Sequence, residues 1–380
     1  MTAASQRYRV ALVIGTRPEA IKMAPLVLAM RDHPSLEPFL LVTAQHRQLL
    51  DSVLGTFELR PDVDLDLMRP NQSLPELSAR ILTAVGATLA QSRPDAVLVH
   101  GDTTTCLCTT LAAFYERIPV GHVEAGLRSG DLMAPWPEEM NRRLVDPICR
   151  WCFAPTERAR GSLLAENVPA ERIFVTGNTV IDALFWMRQR LPERMDIAGL
   201  PTGDLDGKRL VLVTGHRRES FGEGLRQMCR ALRQIADRYP DVIIVYPVHY
   251  NPNVRAPVNE ILGSHPRIRL IEPVDYPAFV YLMQRSALII TDSGGVQEEA
   301  PSLGKPVLVT RYTTERPEAL QHGVARLVGT DPEQIVPAAE EILSPLPGGA
   351  ATAPIDNPFG DGQAAQRILK ILAKSLANRP

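Results

Sequence analysis

Short apolar runs that do not alternate with polar residues constrain this chain more than any other feature. They read "RVALVIG" (9–15), "FLLVTA" (39–44), "AVLVHGD" (96–102), "PVGHVEA" (119–125), "WCFAPT" (151–156) and "IFVTGN" (173–178). A strand exposed on one face alternates, whereas one buried on both faces does not, so these runs predict a parallel sheet covered by helices. Amphipathic segments between them, such as 20–32 and 74–92, supply the helices. Strand-then-helix repetition predicts a doubly wound α/β domain.

The segment 188–209 loses this periodicity and gains Pro and Gly, as a connection does. Beyond it the alternation restarts with "RLVLVTGH" (209–216), "VIIVYPVH" (242–249), "RIRLIEPV" (267–274), "ALIITDS" (287–293) and "PVLVTR" (306–311), and an amphipathic stretch, 361–377, closes the chain. The halves echo each other. "LVIGTRPE" (12–19) and "LVTGHRRE" (212–219) share five of eight positions, and "AVLVHGDTT" (96–104) parallels "ALIITDSGG" (287–295). A chain of 380 residues exceeds what one core usually serves. The expected architecture is therefore two Rossmann-like domains facing across a cleft, with ligands beyond the carboxyl ends of the strands.

Composition narrows the function. A formal net charge of −2 with no long basic run argues against a nucleic-acid binder. The longest apolar stretch, 81–90, is far short of a bilayer span, and the first residues lack the apolar core of a secretory signal, so the chain reads as soluble and cytoplasmic. Five Cys do not suggest a disulfide scaffold. Cys149 and Cys152 have suggestive spacing but no second pair to complete a zinc site, so no metal is expected and buried thiols are the better reading.

Residues suited to chemistry gather at the strand ends. Ser293-Gly294-Gly295 follows a buried strand and opens a helix, where free N–H groups suit a phosphate. Glu298 and Glu299 follow one turn later, placed for ribose hydroxyls or simply as a dipole-favoured acidic first turn. Arg17, Lys22, His216, Arg217 and Arg218 offer cations for a diphosphate if the domains pair as expected. Asp102 and Glu124 end successive apolar strands, where burial or a neighbour can tune a carboxylate for acid–base work. For Asp102 the plainer alternative is helix capping, and for Glu138 and Glu139 a solvated helix start after Pro137. The loop 126–143 is long, charged and Pro-punctuated, which fits a site better than a connector. The dinucleotide fingerprint is absent, so no nicotinamide or flavin cofactor is expected.

The motifs "GTRPEAIKMAPLV", "TAQHRQLLD", "HGDTTT", "GHVEAGLRSGD", "PWPEEMNRR", "VTGNTVIDAL", "TGHRRESFGEG", "YPVHYNPNV" and "TDSGGVQEEAPSLGKPVLVTR" occur in this order from about residue 8 to the last helix. Together they resemble the bacterial non-hydrolysing UDP-N-acetylglucosamine 2-epimerases. The resemblance implies a glycosyltransferase-B-like fold with domains at 1–185 and 186–362, and a helix, 363–380, packing back on the first domain. It implies reversible interconversion of UDP-N-acetylglucosamine and UDP-N-acetylmannosamine without a cofactor, by elimination of UDP to a 2-acetamidoglucal and re-addition.

By the same resemblance Asp102, Glu124, Glu138 and His216 are catalytic. Arg17, Lys22, Ser293, Gly294, Gly295, Glu299 and Arg316 bind substrate. A second UDP-N-acetylglucosamine would activate through Gln45, His46, Gln48, Arg217 and His249, although Asn71 stands where some activated members carry Arg. A homodimer supplying cell-envelope polysaccharide precursors is the family expectation. Competing readings are a glycosyltransferase of the same fold, the hydrolysing epimerase, an epimerase of a related UDP-diacetamido sugar, and a non-catalytic nucleotide-sugar sensor. Three carboxylates at strand ends and in one loop favour the epimerase.

Overall fold

A computed structural model describes residues 7–43, 47–69, 71–201, 203–215, 217, 221–344 and 357–378, with the side chains of 47–49 excepted. The chain forms two compact units, the first from residues up to Trp186 together with Phe359 onward, the second from Met187 to Pro358.

The first unit holds a seven-stranded sheet in the order β3-β2-β1-β4-β5-β6-β7, parallel throughout. Its strands are β1 (Tyr8–Ile14), β2 (Leu36–Val42), β3 (Val63–Asp64), β4 (Ala96–His100), β5 (Val120–Val123), β6 (Trp151–Ala154) and β7 (Ile173–Val175). All six runs named from sequence in this half are strands, and β3, two residues at the edge, was not anticipated. The central strands are apolar on both faces because helices cover both. Val10, Ala11, Leu12, Ile14 and Ala96–Val99 are fully buried. The covering helices include α1 (Arg17–Arg31), α3 (Leu74–Ser92), α4 (Thr104–Tyr115), α5 (Glu138–Val145), α6 (Glu157–Ala165) and α7 (Thr179–Arg188). The last helix, α14 (Ala364–Ala377), also belongs here. The Asp182 carboxylate on α7 accepts from the Ala364 and Ala365 N–H groups at its N-terminus (3.2 and 2.9 Å), and the Trp151 indole donates to Ser375 Oγ (3.1 Å).

The second unit repeats the plan in six parallel strands, ordered β10-β9-β8-β11-β12-β13. They are β8 (Arg209–Thr214), β9 (Val242–Pro247), β10 (Ile268–Ile271), β11 (Ser286–Thr291), β12 (Val307–Val309) and β13 (Ala325–Leu327). Here too the five runs named from sequence are strands and the short edge strand, β13, is additional. Both sheets therefore have the doubly wound order in which the strand sequence reverses between the first and fourth strands, at β1/β4 and at β8/β11. Ligands of such sheets bind at that reversal.

In the first unit the reversal is braced by one buried carboxylate. Thr16 caps α1, and Glu19 completes the capping box. The Glu19 carboxylate accepts from the N–H groups of Gly15 (3.0 Å) and Thr16 (2.7 Å) and from the hydroxyls of Thr16 (2.8 Å) and Thr103 (2.6 Å). Thr103 is in turn the cap of α4, so Glu19 ties the end of β1 to the end of β4. All five cysteines are buried free thiols. Among the described residues no helix is long and apolar enough to cross a membrane.

Two outcomes follow from this packing. A Cβ on Gly121 of β5 would lie 2.7 Å from Leu98 Cδ2 and 3.0 Å from Phe153 Cε2, on the flanking strands. Gly121→Val is therefore expected to lower unfolding stability by about 1–3 kcal/mol, read from urea midpoints. Burial pushes Glu19 from 4.5 up to about 6, outweighing the hydrogen bonds that favour its ionised form. Because the folded value lies above the unfolded one, its contribution is fully present below pH 4.5 and is lost as pH rises to 6. That loss amounts to about 2 kcal/mol. Relative to wild type, Glu19→Gln should gain that amount between pH 4 and pH 7, and a constant difference would exclude the titration.

Candidate active site

At the reversal of the first sheet, β1 ends in Gly15-Thr16-Arg17, β4 in Gly101-Asp102, and β5 in Glu124. The sheet thus brings Asp102 and Glu124 to adjacent strand ends, joined by the Gly101 N–H donating to the Val123 carbonyl (3.0 Å). Asp102 is not the cap of α4, since Thr103 takes that place by accepting from the Cys106 N–H (3.0 Å). The capping alternative for Asp102 therefore fails. Instead Asp102 faces α5. Arg142 donates to its Oδ2 from Nε (3.0 Å) and Nη2 (2.5 Å), and Asn141 donates to its backbone carbonyl (2.7 Å).

Glu124 sits in the left-handed region at φ +69°, a conformation that costs a non-glycine residue about 1 kcal/mol or more. The surrounding side chains hold it there. Lys22 of α1 pairs with Oε1, and Asn178, three residues past β7, donates to the same oxygen (2.8 Å). Buried His100 places Nε2 3.3 Å from Oε2, without hydrogen-bond geometry. Burial pulls His100 down to about 4, so it is neutral at physiological pH. Gly101, at φ +67°, leaves the space beside Oε2 that a side chain would fill.

Glu138 and Glu139 open α5 and part company there. Glu139 is fully buried, accepting from the N–H groups of Ser129 (3.0 Å) and Gly130 (3.2 Å) and from Arg142 (3.1 Å). The solvated reading of Glu139 is thereby overturned, because it anchors the 126–137 loop to the helix. Glu138 lies on the α5 face that carries Asn141 and Arg142, and its Oε2 is buried without a hydrogen-bond partner among the described residues. Arg17 is exposed at the first position of α1.

At the reversal of the second sheet, the Arg217 N–H donates to Asp292 Oδ2 (2.7 Å), linking the ends of β8 and β11. Ser293 is the N-cap of α11 (Gly294–Ser302) and makes no side-chain capping bond. Gly294 lies flat against Arg316, since a Cβ there would be 3.4 Å from Cζ. Arg316 donates to Glu298 (2.7 Å), and Glu299 accepts from the Tyr276 hydroxyl (2.8 Å). Arg217 also approaches Glu315 (3.9 Å). Burial opposes ionisation of Glu315, but Arg311, bonded at 2.7 and 3.2 Å, and Arg217 hold it down at about 2. His249 is exposed just past β9, its Nδ1 accepting from the Asn251 N–H (3.1 Å). His216, Arg218, Gln45 and His46 lie outside the described residues, as does the side chain of Gln48.

Four residues that the sequence reading left without a role belong to these constellations: His100, Asn141, Arg142 and Asn178. Each sits inside a quoted motif, yet the spacing along the chain does not show whether it serves Asp102 or Glu124. No described group of His, Cys, Asp and Glu side chains could hold a metal ion.

A sequence profile described as UDP-N-acetylglucosamine 2-epimerase matches residues 28–373. The Yersinia pestis UDP-N-acetylglucosamine 2-epimerase is 57% identical over 368 residues, 96% of this chain and 98% of the relative. The structure of the Neisseria meningitidis UDP-GlcNAc 2-epimerase bound to UDP-GlcNAc superposes with a TM-score of 0.85 at 46% identity, covering 96% of this chain and 100% of that one. The Methanocaldococcus jannaschii enzyme in complex with UDP-GlcNAc and UDP superposes with a TM-score of 0.79 at 33% identity, covering 96% and 99%. Two Rossmann-like units of the glycosyltransferase-B type, matched along their length by these enzymes, place the chain in the UDP-N-acetylglucosamine 2-epimerase family of isomerases.

Proposed function

We propose that this chain interconverts UDP-N-acetylglucosamine and UDP-N-acetylmannosamine by reversible inversion at C2. The observation that carries the proposal is the pair of carboxylates, Asp102 and Glu124, on adjacent strand ends with dedicated cationic partners. In the forward half-reaction a carboxylate takes the C2 proton. The C–H electron pair forms the C1=C2 bond of a 2-acetamidoglucal, and the C1–O bond breaks with its pair leaving on UDP. In the return half, a carboxylic acid delivers a proton to the opposite face of C2 and a UDP oxygen re-forms the bond to C1. Asp102, Glu124 and Glu138 supply the acid–base groups together with His216, and Lys22 serves at Glu124.

The diphosphate belongs at α11 in this reading. The turn after β1 already gives its N–H groups to Glu19, whereas α11 opens on two glycines beneath an N-cap that makes no side-chain bond. Ser293, Gly294, Gly295, Arg316 and Arg17 bind the diphosphate, and Glu299, oriented by Tyr276, takes the ribose. Residues 1–185 then carry the chemistry and 186–362 the nucleotide, with 363–380 returning to the first part. We further propose UDP-N-acetylglucosamine as activator through Gln45, His46, Gln48, Arg217 and His249. A homodimer working in the cytoplasm on cell-envelope precursors completes the reading.

Proton NMR with UDP-N-acetylglucosamine alone in deuterated water tests it. The expected outcome is UDP-N-acetylmannosamine with deuterium at C2 and a plateau short of completion. Free N-acetylmannosamine with stoichiometric UDP would identify the hydrolysing reaction, and unchanged substrate would exclude this sugar. Asp102→Asn and Glu124→Gln should each lower kcat by about 10²- to 10⁴-fold, with UDP affinity by calorimetry close to wild type. Gly294→Val should do the reverse to binding, weakening UDP by about tenfold or more, equivalent to at least about 1.4 kcal/mol.

A further inference from the structure

Beneath Asp102 runs a chain of buried charged side chains that the reaction itself does not use. His122 of β5, with no exposed surface, sets Nε2 2.7 Å from the Gly101 carbonyl and Nδ1 2.6 Å from Asp146 Oδ1. Asp146, equally buried, accepts at Oδ2 from Arg128 (2.6 Å), and Arg128 grips Glu166 with Nε (2.8 Å) and Nη2 (2.7 Å). The chain ends at Glu166, which is part-exposed just past α6.

The protons can be placed by elimination. A carbonyl oxygen only accepts, so Nε2–H is the donor to Gly101. Burial works against the ionised form of Asp146, yet His122 and Arg128 hold it below the usual carboxylate range. It is therefore a carboxylate that accepts from Nδ1–H.

The ladder explains why Gly101 needs this donor. In a parallel pair, a Gly101 N–H bonded to the Val123 carbonyl would be followed by an Ala125 N–H bonded to the Gly101 carbonyl. Here the Ala125 N–H turns instead to the Phe153 carbonyl on β6 (3.1 Å), because Glu124 takes its left-handed conformation just before it. The Gly101 carbonyl loses its ladder partner at the residue where Glu124 turns, and His122 replaces that partner. The Cys106 thiol, 3.4 Å away, adds only a weak donor.

The Gly101 carbonyl is part of the planar peptide that leads into Asp102. Fixing its oxygen fixes that plane, and with it the Cα from which the Asp102 side chain departs. We propose that His122, held by Asp146 and Arg128, is a positioning residue for Asp102, replacing the ladder bond that the turn at Glu124 removes. This inference rests on the catalytic reading of Asp102. Misplacing a reacting group by about 1 Å costs about 100-fold in rate.

Two variants separate positioning from folding. A Gln amide nitrogen reaches where Nε2 sits and keeps the bond to Gly101, whereas an Asn nitrogen reaches only where Nδ1 sits and keeps the bond to Asp146. Thermal melts should fall alike for both. His122→Gln is expected to keep kcat within about tenfold of wild type and His122→Asn to lose about 100-fold, with KM changed less than about threefold in either. Equal kcat in the two variants, or an effect confined to KM, overturns the clamp. If neither variant folds, Arg128→Lys decides. It keeps the buried charge but loses the fork on Glu166, and kcat should drop about threefold or more at unchanged KM. Wild-type kcat there overturns the proposal. An active Asp102→Asn would instead overturn the catalytic reading of Asp102, and the clamp with it. An inactive Asp102→Asn beside a fully active His122→Asn overturns the clamp alone.

Discussion

Where a parallel sheet reverses its winding, two neighbouring strands send their helices to opposite faces and leave backbone N–H groups pointing into a crevice. Those groups need an acceptor. The two units meet this demand differently. In the first, Glu19 supplies an internal carboxylate, spanning the turn after β1 and the start of α4. In the second, Asp292 accepts from the Arg217 N–H, and α11 begins with Gly294 and Gly295 after an N-cap, Ser293, that makes no side-chain capping bond. Similar topology thus places an internal carboxylate at both reversals, with a side-chain cap on α4 and none on α11.

The filled crevice also sets the stage for the carboxylates. With β1 and β4 tied together by Glu19, the ends of β4 and β5 present Asp102 and Glu124 from adjacent strands. Each has its own attendants. Arg142 directs two of its bonds to one oxygen of Asp102. On Glu124 it is again one oxygen, Oε1, that receives both Lys22 and Asn178. The other oxygen of Glu124, Oε2, lies 3.3 Å from the neutral imidazole of His100. The left-handed backbone at Glu124 is the local cost of aiming its side chain this way.

Much of this was legible before any coordinates. The strands of both sheets announced themselves because residues buried on two faces do not alternate, and the carboxylates stood out because they end such runs, with capping as the plainer alternative for Asp102 until Thr103 is seen to take that place. The edge strands β3 (Val-Asp) and β13 (Ala-Arg-Leu) escaped because each includes an exposed charged residue and forms no apolar run. Asn178, Arg142 and His100 were hidden for another reason. Each comes from a different element, and which carboxylate it meets depends on register and on the course of a loop, not on spacing along the chain. Glu139 shows the same limit. Beside Glu138 in sequence, it is consumed by the loop's own N–H groups.

The first unit is assembled from both ends of the described chain, with α14 seated on Asp182 and against Trp151 while the second unit is inserted between. During synthesis the second unit can therefore close as soon as its own residues emerge, whereas the first must wait, its sheet formed and one face incompletely covered, until α14 leaves the ribosome. The unit bearing the carboxylates is begun first and finished last. Its apolar surface stays open to chaperones and to misassociation for the whole time it takes to translate its partner.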